Sequence, residues 1–202
     1  MRRWCGLVAA LLLGACSVVA PVNDRATFDR WLAVDPPRSE SFRRFEALLA
    51  REGVADVVPS YELWLTDQNG PKCDAEPFIA PPEETWLHIL PALRFIRDHI
   101  EPAIGDVRVV SAYRDEAFNT CVRGAPRSAH REYYALDLVP DRAINRATLI
   151  RTLCPIHSDQ GAAAQIGLGI YAGQRFHIDA RGFRGWGSDY HRATFPCDQQ
   201  AA

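Results

Sequence analysis

The sequence predicts an α+β fold: a small, mainly antiparallel sheet with flanking helices. Three observations carry this reading. In the first half, apolar residues recur at helical spacing, as Phe42, Phe45, Leu48 and Leu49, and again as Trp86, Ile89, Leu90, Leu93 and Ile96. In the second half, short β-prone runs take over, at residues 107–111, 135–139, 167–171 and 175–179. The last two runs are separated only by Ala172-Gly173-Gln174, a hairpin connection. Helices early and hairpin-linked strands late point to α+β.

The chain has 202 residues, 48% of them hydrophobic, which suits one domain with its own core. Its formal net charge of −2 supplies no basic excess, which argues against phosphate-driven nucleic-acid binding. Lys72 is the only lysine, read as genomic base composition and not as function.

The elements follow in order. Arg2 and Arg3 precede an apolar run over residues 4–13, about the length of a signal-peptide core and too short to span a membrane. Leu13-Gly14-Ala15-Cys16 then resembles a bacterial lipobox, so Cys16 is the expected lipidation site and residues 1–15 the expected leader. The alternative is an ordinary leader cut after Ala20, but Pro21 just past that cut would hinder the enzyme. Ser17 stands where an inner-membrane retention signal would place aspartate, which favours the outer membrane.

Residues 23–37 read as a lead-in segment and 39–52 as a helix stopped by Gly53. Residues 57–65 read as a strand or extended stretch, and 67–71 as a turn. Pro81-Pro82-Glu83-Glu84 opens a helix that Pro91 should kink or divide. Asp115 caps a short helix ending near Gly124, and residues 146–153 form another. Four cysteines follow Cys16: Cys73, Cys121, Cys154 and Cys197. An even count in an exported chain predicts two disulfides in one of three pairings. The preferred pairing joins Cys73 to Cys121 and Cys154 to Cys197, the second pinning the C-terminal tail.

Three segments carry chemistry: Ser111-Ala112-Tyr113-Arg114, then Ser128-Ala129-His130 with Asp137 seven residues on, then His177-Ile178-Asp179. A catalytic zinc takes three protein ligands and one open position, and two histidines with one carboxylate satisfy it. On one straight helix, His130 and Asp137 would stand ~10 Å apart along the axis, too far to share an ion with ~2 Å bonds. The histidine must therefore sit on a loop that folds back to Asp137 on its strand. Strand alternation puts Asp137 opposite Leu136 and Leu138, and puts His177 with Asp179 on one face. A buried aspartate among leucines is costly unless paired or bound to metal. Singly, each has an ordinary role: Asp137 as a core acid paired with Arg114, His177 as a packed hairpin residue. Order and spacing together carry the case.

Ser111-x-Tyr113-Arg114, Asn119, Ser128-x-His130-x6-Asp137, Gly167-x-Gly169-x-Tyr171 and His177-x-Asp179 together resemble the zinc D-Ala-D-Ala carboxypeptidase family. Its relatives include vancomycin-resistance dipeptidases, murein endopeptidases and the hedgehog signalling domain. The resemblance covers about residues 107–186. It implies a hedgehog/DD-peptidase-like fold with Zn2+ on His130, Asp137 and His177. It also implies Arg114 at the substrate carbonyl or oxyanion, and Ser128 near the substrate. The implied substrate is the peptidoglycan stem peptide, cut at D-Ala by metal-assisted hydrolysis in the bacterial envelope. The implied organisation is a leader over 1–15, a lipid-anchored segment with a helix over 16–60, and a catalytic domain over 61–202. One departure stands out. Many members carry an acid three residues before the last zinc histidine, where this chain has Gln174, which is no proton acceptor. Asp179 is then the candidate base, with an alternative role of holding the His177 tautomer. His157 and His191 have no argued role. The rival readings are an inactive peptidoglycan-binding lipoprotein of the same fold and a metal-free envelope lipoprotein.

Overall fold

The structure is a computed structural model that describes residues 23–67 and 70–199. The expected leader and Cys16 lie outside the described residues. Asp24 caps helix α1 (Arg25–Ala33), accepting from the Thr27 N–H, and Asp35 caps α2 (Pro36–Arg51), accepting from Arg38. The expected lead-in segment is thus largely helical. Helix α2 begins three residues before the predicted start because prolines fit the first turn, where no N–H donor is required. Phe42, Phe45, Leu48 and Leu49 of α2 are buried. Phe28 of α1 stands edge-on to Phe42 at 4.6 Å and to Phe78 at 4.9 Å. These rings belong to the same hydrophobic cluster as Leu136, Leu138 and Ile178 of the sheet, so packing is continuous across residue 60.

The expected extended stretch at 57–65 is instead mostly a 3-10 turn, Ser60–Trp64, followed by a single bridge from Leu65 to Phe78. Its Glu62 is buried and accepts from the Val109 N–H at 2.8 Å, covering the free edge of the first strand. Pro91 divides the next helical run as expected. A 3-10 turn over Glu83–Ile89 gives way to α3 (Leu90–Phe95), with the proline in its first turn. A π turn then leads into α4 (Glu101–Ile104). Strand β1 (Val107–Ser111), helix α5 (Glu116–Cys121), strand β2 (Ala135–Pro140) and helix α6 (Arg146–Ile156) follow. The chain ends with β3 (Gly167–Ile170), β4 (Phe176–Asp179) and β5 (Arg184–Trp186).

The five strands form one mixed sheet in the order β1-β2-β4-β3-β5. Three ladders are antiparallel, and β5 runs parallel to β3. This is a small α+β fold with a mostly antiparallel sheet. Strand β5 has only three residues, too few for a period-two pattern to register. Leu136, Leu138, Phe176 and Ile178 point into the hydrophobic core. The alternate positions across the sheet form a row: Ser111, Asp137, His177, Gly169 and Trp186 are register partners in turn.

Cys73 pairs with Cys121 and Cys154 with Cys197, across Cα separations of 5.9 and 5.2 Å. Two disulfides point to an oxidising compartment outside the cytoplasm.

Candidate metal centre

Asp137 and His177 face each other across the β2–β4 ladder, so their side chains rise side by side from one sheet face. His130 reaches them from a 3-10 turn, Ala129–Glu132, which is the fold-back that the spacing requires. Ser128 opens this turn, its hydroxyl accepting from the His130 N–H at 3.4 Å. Tyr133 closes it in the left-handed region, φ 60°, a conformation that a bulky residue adopts only under constraint. The constraint is visible: Tyr133 is fully buried and its hydroxyl donates to the Leu63 carbonyl at 2.9 Å.

Three atoms converge. His177 Nδ1 lies 2.8 Å from Asp137 Oδ1. His130 Nε2 lies 3.2 Å from His177 Nδ1 and 3.3 Å from Asp137 Oδ1. Ligands on a tetrahedral ion with ~2.0–2.1 Å bonds stand about 3.3 Å apart, so separations of 2.8–3.3 Å suit a small divalent ion. The far ring nitrogens are also occupied. His130 Nδ1 donates to the Ala112 carbonyl at 2.6 Å, and His177 Nε2 to Asp179 Oδ2 at 2.9 Å. Each bond leaves the metal-facing nitrogen as the one to offer a lone pair. His130, Asp137 and His177 are buried and able to hold a divalent metal ion. A cavity of about 490 Å³ opens onto His130 and His177.

Electrostatics agree. Burial, aided by the Arg114 charge, pushes His130 down to about 4, so it is neutral near pH 7. Burial would also lower His177, but hydrogen bonds from its ring to the Asp137 and Asp179 carboxylates outweigh it and raise its pKa. Burial opposes ionisation of Asp137, yet His130, His177 and Arg114 together hold it well below the usual carboxylate range. Its second oxygen accepts from Arg114 Nη2 and Arg175 Nη2, both at 2.6 Å. Arg175 also donates to Asp67 at 2.7 Å, and Arg114 Nε donates to the Ser111 hydroxyl at 2.9 Å.

The predicted residues therefore separate into groups. His130, Asp137 and His177 converge, and Ser128 and Arg114 line the cavity beside them. Arg114 grips Asp137, so it acts on a ligand as well as facing the cavity. Asp179 does not stand where a general base must. It sits behind the His177 ring, fully buried, and also accepts from Arg184 Nη2 at 2.7 Å and the Arg181 N–H at 2.8 Å. Of the two roles the sequence left open, this geometry is that of a group orienting His177: the imidazole lies between Asp179 and the ligand atoms. Gln174 donates to the Ile144 carbonyl, away from the cluster. His157 stacks on Phe183 and bonds to the Ile166 carbonyl, and His191 does not line the cavity.

Two glycines of the Gly167-x-Gly169 motif have a steric reason. A Cβ on Gly169 would meet the Trp186 indole at 2.6 Å, and one on Gly167 would meet Asp179 Oδ2 at 2.6 Å. Their absence lets Trp186 stand edge-on to His177, with ring centroids 5.0 Å apart. Sequence reasoning missed Trp186, Asp67, Arg175 and Arg184. A tryptophan just after the His-x-Asp strand was the one available signal.

Asp179→Asn is expected to lower zinc affinity about 10–100-fold, with an activity loss that excess zinc partly restores. Unchanged affinity with collapsed activity, read by metal titration beside turnover, would reinstate Asp179 as a base.

Comparisons with protein-family models, with curated proteins and with solved structures find no match, and what stands established is an α+β chain whose two histidines and one aspartate form a buried cluster able to hold a divalent metal ion.

Proposed function

We propose that this chain is a zinc-dependent peptidase of the hedgehog/DD-peptidase-like group, cutting a peptide bond at D-Ala in peptidoglycan stem peptides. It works on the periplasmic side of a bacterial envelope, tethered to the outer membrane through lipid on Cys16. The observation that carries the reading is the facing set of His130 Nε2, His177 Nδ1 and Asp137 Oδ1 beside an open cavity. The motif resemblance and the oxidising setting support the substrate class and location.

A divalent ion held there supplies Lewis-acid activation of water and of the scissile carbonyl. The chain's own residues do the rest. Asp179 and Ala112 fix the two imidazoles, and Arg114 with Arg175 fixes Asp137. Ser128 lines the substrate side. Tyr171 lines the same cavity, and burial pushes its pKa far above the ordinary value, so its hydroxyl keeps its proton and donates to a developing oxyanion.

A second reading has its own support. Among the described residues, no Asp or Glu lines the 490 Å³ cavity, and Gln174 points elsewhere, so a carboxylate base is missing. This favours a zinc-bearing peptidoglycan-binding lipoprotein without catalysis. Purified protein is expected to carry about one equivalent of zinc and to hydrolyse D-Ala-terminated or cross-linked muropeptides. One equivalent of zinc with stem-peptide binding but no turnover establishes the second reading, and no bound metal sinks both. Precursor accumulation in Cys16→Ser checks the anchor.

A further inference from the structure

Asn119 of helix α5 is buried, and its side chain is only half engaged. Nδ2 donates to the Ala125 carbonyl at 3.1 Å, while Oδ1 is buried with no partner among the described residues. An orphan acceptor of this kind costs stability that an apolar side chain of similar size would not lose. Stability alone therefore does not account for an amide here. The idle oxygen faces Gly124, where a Cβ would meet it at 2.2 Å.

The one bond that Asn119 does make lies on a direct route to a metal ligand. The Gly124 N–H donates to the Asn119 carbonyl at 2.8 Å, and Arg123 is left-handed, φ 56°, so the chain folds back along the helix it has just left. The Ala125 carbonyl then accepts twice, from Asn119 Nδ2 and from the Ser128 N–H at 2.9 Å. Ser128 in turn opens the turn that carries His130, its own carbonyl accepting from the Arg131 N–H at 3.1 Å. The next two carbonyls of the loop are also gripped by side chains, Pro126 by Arg131 at 2.6 Å and Arg127 by Arg181 at 3.1 Å. Both arginine grips are exposed to water; that of Asn119 is sheltered, and so holds the loop more firmly. Cys121 of the same helix is bonded to Cys73, so the grip starts from a fixed point. We propose that Asn119 is a positioning residue for the metal centre: through the Ala125 carbonyl it sets the turn that brings His130 Nε2 to the ion. This rests on the cluster binding a metal and not on the peptidase reading.

Two measurements on the full chain test it: zinc affinity by competition with a chromophoric chelator, and amide hydrogen exchange of the metal-free protein. Asn119→Ala is expected to weaken zinc binding about tenfold. Asn119→Asp, which keeps the shape and loses the donor, should do the same. In the metal-free Asn119→Ala chain the Ser128 and Arg131 amides should exchange roughly tenfold faster, with those of the β2–β4 ladder unchanged. Asn145→Ala is the control. It removes a helix cap that accepts from the Thr148 N–H at 2.8 Å and does not line the cavity, so it should lower the melting temperature and leave zinc affinity unchanged. Gly124→Ala should weaken zinc binding by itself and add little in an Asn119→Ala background, where the clash is gone. Zinc affinity equal to wild type in Asn119→Ala overturns the proposal, and so does a loss that Asn145→Ala reproduces. Should Asn119→Ala not fold, Gly124→Ala decides: unchanged zinc affinity with unchanged Ser128 exchange overturns the proposal too. Muropeptide turnover is read separately. Weakened zinc binding in Asn119→Ala beside a wild type without turnover leaves the role of Asn119 standing and removes the peptidase reading; wild-type turnover with unaltered zinc affinity in Asn119→Ala does the reverse.

Discussion

His130→Ala, Asp137→Ala and His177→Ala are each expected to cut retained zinc from about one equivalent to a small fraction after dialysis, because a three-ligand site loses a third of its protein donors. Elemental analysis checks this, and full occupancy in the histidine variants would remove the reason for a metallopeptidase. The three are not equivalent for the fold. Asp137 also takes Arg114 and Arg175 on its second oxygen. Removing it leaves two largely buried guanidiniums to share Asp67 alone, a loss approaching roughly 3 kcal/mol, so Asp137→Ala should melt below His130→Ala. Zinc uptake should also depend on pH in a stated direction. His130 is already neutral near pH 7, so the competing proton is that of His177, held above its ordinary pKa by Asp137 and Asp179 against burial. Zinc affinity is therefore expected to fall as pH drops through that raised value. For the metal-free fold the sign reverses. A raised pKa contributes stability below the unfolded value of ~6.5 and loses it as pH climbs through the folded one. Affinity independent of pH between about 6 and 8.5 would contradict this assignment.

The second large effect concerns the tail. Replacing Cys154 and Cys197 together by serine is expected to cost about 4 kcal/mol, from the chain-entropy relation for a loop of this size. At this chain length that is roughly 10 °C in melting temperature. The two cysteines stand 43 residues apart. The segment they pin brings Phe195 against Gly185, where an added Cβ would meet the ring at 2.1 Å, and sets Tyr190 and Arg192 on the cavity wall. None of these residues is a metal ligand, so the variant should keep one equivalent of zinc while peptide affinity weakens. Thermal melting beside metal content tests both parts, and an unchanged melting temperature would show that the bridge constrains little.

Much of this architecture is local in origin and was therefore legible. The Phe42 to Leu49 spacing, the Asp115 cap, and the β-branched run at 107–111 each follow from periodicity or capping within a few residues. So does the fold-back of His130 toward Asp137, because no helix can bring side chains seven residues apart onto one ion. The stretch at 57–65 was misread because a buried turn with Tyr61, Leu63 and Trp64 inside has the apolar content of a strand, and only packing distinguishes the two.

The sequence by itself determined which side chains could hold a metal, that Asp137 and His177 would each stand opposite core-facing neighbours, and that paired cysteines would brace the fold. Tertiary structure alone decided what surrounds them. Alternation along β1 puts Ser111 on the same face as Val107 and Val109. A register shift between Val109 and Ser111 pairs it instead with Asp137, and so turns its hydroxyl toward Arg114 and the site. Asp67 and Arg175 meet across 108 positions of chain, and no local pattern encodes such a pair. Asp179 shares a strand face with His177, which allowed either a base or an orienting role. The direction of the His177 ring separates them, and that direction is set by Trp186 and Arg184 on a strand that joins the sheet only when the chain has folded.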